Sequence, residues 1–168
     1  IYDELGLTAP TTWEELAENS KKIYEAKGIA GFAADSLTDM MQALMMQSGA
    51  GYIDVANKSV LFDTEDATAW LKWFGDNVEA GYFALNPTGD YWSNDFNAGL
   101  VASYLGSCAG VPYIKPDGFE YTVAPMVRGD KAEWYPAWNR GAIVFNKDED
   151  ANKGTYLFVK YFLSPEVN

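Results

Sequence analysis

The chain contains no histidine, which removes the commonest general base and the commonest zinc ligand together. Serine–histidine, cysteine–histidine and histidine–metal chemistries are therefore excluded. Cys108 is the single cysteine, so no internal disulfide can form and the redox compartment is left open. A lone thiol of this kind reads as a small buried hydrophobe. Among the oxygen ligands, Asp148, Asp150 and Asn152 have the alternate spacing that opens a calcium loop. The pattern then breaks, because Lys153 stands where the sharp turn needs glycine and Val159 where a bidentate glutamate is required. Helix capping explains these residues better. Glu14/Glu15 and Asp63/Glu65/Asp66 are carboxylate groups of the type that could flank a glycosidic bond, yet each lies in a capping or first-turn position. Gly49-Ala50-Gly51 lacks the third glycine of a dinucleotide fingerprint, and no Gly-Lys-Ser/Thr cradles phosphate. Asn57-Lys58-Ser59 matches a glycosylation sequon, a pattern short enough to arise by chance. The residues thus predict no catalytic group, no metal and no cofactor.

What remains is binding, and composition narrows it. Lys+Arg total 12 against Asp+Glu 24, a net charge of -12 that repels nucleic acid and anionic membrane. The 15% aromatic content, with 6 Trp and 11 Tyr, supplies half-polar rings suited to stacking flat ligands such as sugars. No run approaches the roughly 18 apolar residues of a membrane span, and no charged leader precedes an apolar stretch. The chain opens on Ile1-Tyr2-Asp3-Glu4-Leu5, which reads as the end of a helix already under way. It closes on Ser164-Pro165-Glu166, which reads as a helix start. Both ends suggest a fragment of a longer protein, whose leader would lie elsewhere.

The elements that must position a site follow from periodicity and caps. Thr12-Trp13-Glu14-Glu15 is a capping box. Trp13, Leu16, Ala17, Ser20, Ile23 and Tyr24 then share one helical face up to the stop at Gly28. Gly31 to Ala34 reads as a buried strand, followed by a helix over 37–48 whose Met40, Met41, Leu44 and Met45 form a core stripe. Residues 52–62 read as a hairpin. Thr64 caps a third helix that buries Ala67, Trp70, Leu71, Phe74 and Val78. A short helix is expected at 93–97, strands at 100–105, 120–124 and 141–145, and a last helix over 150–163. Strands separated by long helices pair in parallel, giving an α/β sheet. Ligands of such sheets sit beyond the carboxyl ends of the strands. That singles out Asp35-Ser36-Leu37-Thr38-Asp39, the turn Gly106-Ser107-Cys108-Ala109-Gly110, and Trp138-Asn139-Arg140.

Three segments, in order, carry a family likeness. Leu5-Gly6-Leu7-Thr8-Ala9-Pro10-Thr11-Thr12-Trp13-Glu14-Glu15-Leu16 resembles the first signature of bacterial extracellular solute-binding proteins of carbohydrate ABC importers, the class of maltose-binding protein. Phe96-Asn97-Ala98-Gly99-Leu100-Val101-Ala102-Ser103-Tyr104-Leu105-Gly106-Ser107 is similar to the second. The helix through Phe158, Val159 and Phe162 to Ser164-Pro165-Glu166 is similar to a third.

This resemblance implies a type II periplasmic-binding-protein-like α/β fold, an open mixed sheet with helices on both faces, in which two lobes close over a ligand by hinge motion. Residues 1–124 would form most of the carboxy-terminal lobe. The chain would cross a hinge near Pro125-Met126, and 125–168 would include part of the other lobe. The likeness places Asp35, Ser36 and Asp39 where relatives contact sugar hydroxyls, and Gly106-Ser107-Cys108 where many have Gly-x-Trp. Cys108 replaces that ring, so Trp92 and Trp138, with Asn139 and Arg140, are the expected substitutes. The implied function is capture of a sugar or oligosaccharide and its delivery to an ABC permease, without catalysis, by an extracellular protein that is periplasmic or a cell-surface lipoprotein. Alternatives are another solute (peptide, polyamine or anion), a glycoside hydrolase, or a carbohydrate-binding module. Apolar surface left by a missing lobe would favour pairing of the fragment into a dimer.

Overall fold

The computed structural model describes residues 1–86, 90–137 and 145–167. The chain divides into two compact units, Ile1–Pro136 and Ala137–Asn168.

The first unit begins with helix α1, Trp13–Lys27, whose end groups are satisfied as the sequence predicts, with one difference. The Thr12 hydroxyl accepts from the Glu15 amide at 3.2 Å, but the Glu15 carboxylate reaches back to the amide of Thr11, at 2.7 Å, and to its hydroxyl. Those two bonds hold the Glu15 carboxyl below its usual range. Gly28 then adopts the left-handed conformation, φ 71°, that ends the helix. Strand β1, Phe32–Ala34, leads into helix α2, Leu37–Gln47, capped by Ser36. A small antiparallel hairpin, β2 (Ile53–Asp54) with β3 (Ser59–Val60), precedes helix α3, Glu65–Glu79, capped by Thr64. Strand β4, Phe83–Ala84, helix α4, Ser93–Asn97, and strand β5, Tyr104–Leu105, complete the regular elements, followed by a 3-10 helix over Cys108–Tyr113.

The sheet is parallel, ordered β4-β1-β5, with β1 in the centre. Strand side chains alternate between faces, and here the alternation fills two cores. Phe32, Phe83 and Leu105 face a large cluster with Trp13, Leu16, Met40, Leu44, Ala67 and Phe74 from the first three helices. Ala33, Ala84 and Tyr104 face a smaller one with Trp92, Val101 and Phe96. Helices therefore cover both faces. Each fully buried Leu, Met or Phe contributes about 1.5–3 kcal/mol, so the large cluster is the main source of stability. At its edge α1 lies so close to the start of β1 that a Cβ on Gly31 would stand 2.7 Å from Ser20 Oγ and closer still to the Ser20 backbone.

Several elements differ from the sequence reading. Strand 100–105 shrinks to Tyr104–Leu105 because its only neighbour among the described residues, β1, is three residues long; Val101 joins it through an isolated bridge to Ala30. Residues 120–124 form no strand and are exposed. Their side chains act instead, Phe119 and Tyr121 packing edge-on against Phe96 at 5.6 and 6.3 Å between ring centroids. Strand β4 was not expected, being two residues long. On α3 Leu71 is exposed, and Trp73 takes the inward position, edge-on to Trp13, Trp70 and Phe83. Cys108 is exposed rather than buried, because it opens a 3-10 helix that lies at the surface beyond β5.

In the second unit, helix α5, Glu149–Phe162, is capped by Asp148, whose carboxylate accepts from the Ala151 amide at 2.8 Å. Asn152 turns back to accept from the Lys147 amide and to donate to Asn146 Oδ1. The calcium-like spacing is thus used for capping. Tyr156, Phe158, Tyr161, Phe162 and Leu163 are all exposed, Phe158 stacking on Phe162. Of the expected strand 141–145, residues 141–144 fall outside the described residues, and Phe145 belongs to no strand.

Candidate functional site

Parallel pairing brings the carboxyl ends of β4, β1 and β5 to one edge, so the turns that follow them converge. Asp35 follows β1 directly. Its amide donates to the Leu105 carbonyl at 2.9 Å, extending the ladder. Its Oδ1 accepts from the Trp92 amide at 2.7 Å, tying the turn after β1 to the start of α4. Gly106, the first residue after β5, leaves room for this carboxylate: a Cβ there would lie 2.6 Å from Asp35 Oδ2 and 2.7 Å from Tyr104 Cε2. Partial burial pushes the Asp35 carboxyl above its usual range, opposed by the Trp92 amide. The Tyr104 phenol is likewise raised, by burial first and then by the charge of Asp35. The edge is therefore a half-buried carboxylate, fixed on one oxygen and flanked by a phenol.

The hydroxyls beside it serve first as caps. Ser36 Oγ accepts from the Asp39 amide at 3.3 Å at the start of α2, and Ser107 Oγ accepts from the Ala109 amide at 3.2 Å. An accepting hydroxyl still has its own proton to donate. Asp39 is half-buried in the first turn of α2. Gly106 and Ser107 are exposed. Asp35, Ser36, Gly106 and Ser107 are thus brought to one edge, with Trp92 bound to it through its backbone.

Trp92 itself is 8% exposed, its ring packed in the smaller core. A face buried in this way has no room for a stacked ligand, and the indole N–H has no hydrogen-bond partner among the described residues. The neighbouring Tyr91 has the opposite placement, 72% exposed. Both border a depression of about 400 Å³ with Leu85, Asn86, Asn94 and Asp95, just past the end of β4. Tyr91 and Tyr104 are therefore candidate site residues, which the sequence does not single out. The signal that points to Tyr91 is its adjacency to Trp92 at a helix start. Another depression, about 480 Å³, lies over the start of α3 against Asp63, Thr64, Glu65 and Lys72, away from the strand ends. Trp138, Asn139 and Arg140 lie outside the described residues. Among the described residues no group of three or more Cys, Asp or Glu side chains could hold a metal.

Residues 2–168 match the family model described as bacterial extracellular solute-binding protein. The chain belongs to that family. Two solved structures show the same fold, the type II periplasmic-binding-protein arrangement. One is the cyclic alpha-maltosyl-1,6-maltose binding protein from Arthrobacter globiformis, 23% identical with a TM-score of 0.70. The other is T. maritima MalE3 with bound maltose, 21% identical with a TM-score of 0.72. Each alignment covers 99% of this chain but 44% and 46% of the other chain, so this solute-binding protein chain spans under half the length of either. No curated protein matches by sequence.

Proposed function

We propose that this chain is part of an extracellular capture subunit that binds a sugar or oligosaccharide and delivers it to an ABC permease, with no catalysis of its own. The observation that carries the reading is the strand-end edge: the Asp35 carboxylate is held by the Trp92 amide, given room by Gly106 and bordered by Tyr104. A carboxylate with one oxygen still open, serine hydroxyls and an exposed tyrosine ring supply the acceptors, donors and flat apolar face that a polyhydroxylated ring requires. Asp35, Ser36, Asp39, Gly106 and Ser107 take the polar contacts in this reading. Tyr91 takes the stacking contact expected of Trp92; the other sequence candidates, Trp138, Asn139 and Arg140, lie outside the described residues. The one candidate base among these residues, Arg140, gives little support to an anionic solute.

Residues 1–124 belong in this reading to the carboxy-terminal lobe, and 125–168 to the crossing and part of the other lobe. Support comes from α5, whose exposed row of Tyr156, Phe158, Phe162 and Leu163 is a surface that folded proteins normally cover. Closure of a second lobe over the edge would bury the ligand by hinge motion. The parent protein is accordingly periplasmic or a cell-surface lipoprotein.

A ligand-dependent melting screen of the full-length parent with maltose-series sugars, other sugars, peptides and polyamines tests the reading. A bound ligand at about 100 times its Kd adds roughly 2.7 kcal/mol, a clear shift in Tm. Stabilisation by peptides or polyamines and by no sugar would refute it, as would release of reducing sugar from an oligosaccharide.

A further inference from the structure

Gln47 is the last residue of α2 and is fully buried, one of three buried polar residues, with Ser20 and Ser48, among the described residues. Buried amides are retained where their donors and acceptors are used, and here they are. Gln47 Oε1 accepts from Trp13 Nε1 at 2.7 Å. Its Nε2 donates to the carbonyls of Val127 at 3.1 Å and of Trp134 at 2.7 Å, residues distant in sequence. One amide group therefore grips both ends of segment 127–134. The segment fits this grip closely. Val127 is buried in the large core, the Arg128 amide donates to the Thr11 carbonyl, and Gly129 lies where a Cβ would be 2.6 Å from the Gln47 carbonyl oxygen. Arg128 pairs with Glu133 within the segment, and Lys131 with Asp66 of α3. These ion pairs are exposed and contribute little; the buried amide is the strong tie. Two residues later the first compact unit ends, at Pro136.

We infer that Gln47 is a lock that holds segment 127–134 against the first unit as a strap, so that the first part of the crossing is fixed to this unit and movement of the departing chain begins beyond Trp134 rather than at Pro125-Met126. Trp13 is a positioning residue in this device, orienting the amide so that its two N–H groups point at the strap. The consequence for lobe closure rests on the function proposed above, but the strap can be tested without any ligand, so the two ideas fail separately.

Trypsin reads the strap directly, since Arg128 and Lys131 lie within it while Lys21, Lys22 and Lys27 lie in α1. Cleavage of a transiently opened segment follows the population of the open form. Gln47→Glu keeps an acceptor for Trp13 and removes the donors to the strap. In the full chain, cleavage after Arg128 and Lys131 is expected to accelerate tenfold or more, with cleavage in α1 changed less than twofold. Gly129→Ala, which leaves Gln47 itself intact and wedges the strap outward, is expected to give the same selective pattern. It also decides the matter where Gln47→Glu unfolds the chain. Unchanged cleavage in the strap, or equal acceleration in α1 and strap in the Gly129→Ala variant, overturns the inference.

Discussion

Asp35→Asn separates the functional part of the site from its structural part. An asparagine oxygen can still accept from the Trp92 amide, which donates to Asp35 Oδ1 at 2.7 Å, so the tie between β1 and α4 survives. The charge that burial disfavours disappears. A neutral bond replaces a charge-assisted one, but the desolvation of a half-buried carboxylate is relieved at the same time, and the stability of the chain is expected to change by less than about 1 kcal/mol. Asp35→Ala is different, because it leaves the Trp92 amide without its acceptor at a cost of about 1–3 kcal/mol. The pH dependence carries a defined sign. A carboxyl whose folded pKa is raised binds more protons folded than unfolded in the window between its ordinary and its raised value, so stability falls as pH rises through that window. The wild type should therefore gain on Asp35→Asn as the pH is lowered through it. In the full-length parent the same substitution removes a charged acceptor from the ligand, worth about 1.5–3 kcal/mol, or roughly 10- to 150-fold in Kd. Urea melts of the chain and calorimetry of the parent supply the two readouts. Equal destabilisation by Asn and Ala, or unaltered sugar affinity in Asp35→Asn, would refute the reasoning.

Other consequences follow from packing. Gly31→Ala should destabilise the chain by about 1–3 kcal/mol or more in denaturant, because the added methyl meets Ser20 of α1 at less than contact distance; an unchanged midpoint would show that α1 can move away freely. Trp13→Ala should cost about 3–5 kcal/mol, since its ring is fully buried and its N–H satisfies Gln47. Tyr91→Ala should leave Tm nearly unaltered, the ring being largely exposed, while weakening sugar binding by the parent by about 0.5–1.5 kcal/mol if it stacks. The chain alone should form dimers in light scattering, driven by the exposed apolar residues of α5. A strict monomer at high concentration would refute pairing.

The caps were legible because each is a short-range event. Thr12, Thr64 and Asp148 cap the helices expected of them, each accepting from the amide three residues on; Ser36, expected only as a ligand contact, does the same for α2. Strand β1 was legible from Gly31 and Asp35 on either side of an apolar run, and parallel pairing then predicted which turns meet. Asp35, Ser36, Gly106 and Ser107 came from that geometric rule together with the family likeness. What sequence did not disclose depends on partners far along the chain. Strand β4 is too short to show periodicity and exists because β1 offers it a ladder. The choice between Trp92 and Tyr91 turns on which ring meets Ala33 and Val101, and neighbouring residues on a helix start differ in direction without differing in type.

Gln47 is the sharpest case of this limit. It lies among Met45, Met46 and Ser48, where nothing in the local pattern singles it out. Its burial follows from two carbonyls 80 and 87 residues away and one indole 34 residues back. A polar group can be placed in a core at little net cost only when all its hydrogen-bonding capacity is met, and that condition is a property of the assembled unit. The same reasoning separates Gln47 from Trp92, whose indole N–H is buried without a partner among the described residues. One buried amide completes a closed set of contacts and fixes backbone; the buried indole retains a donor beside the strand ends, where the carboxylate of Asp35 already takes the amide of the same residue.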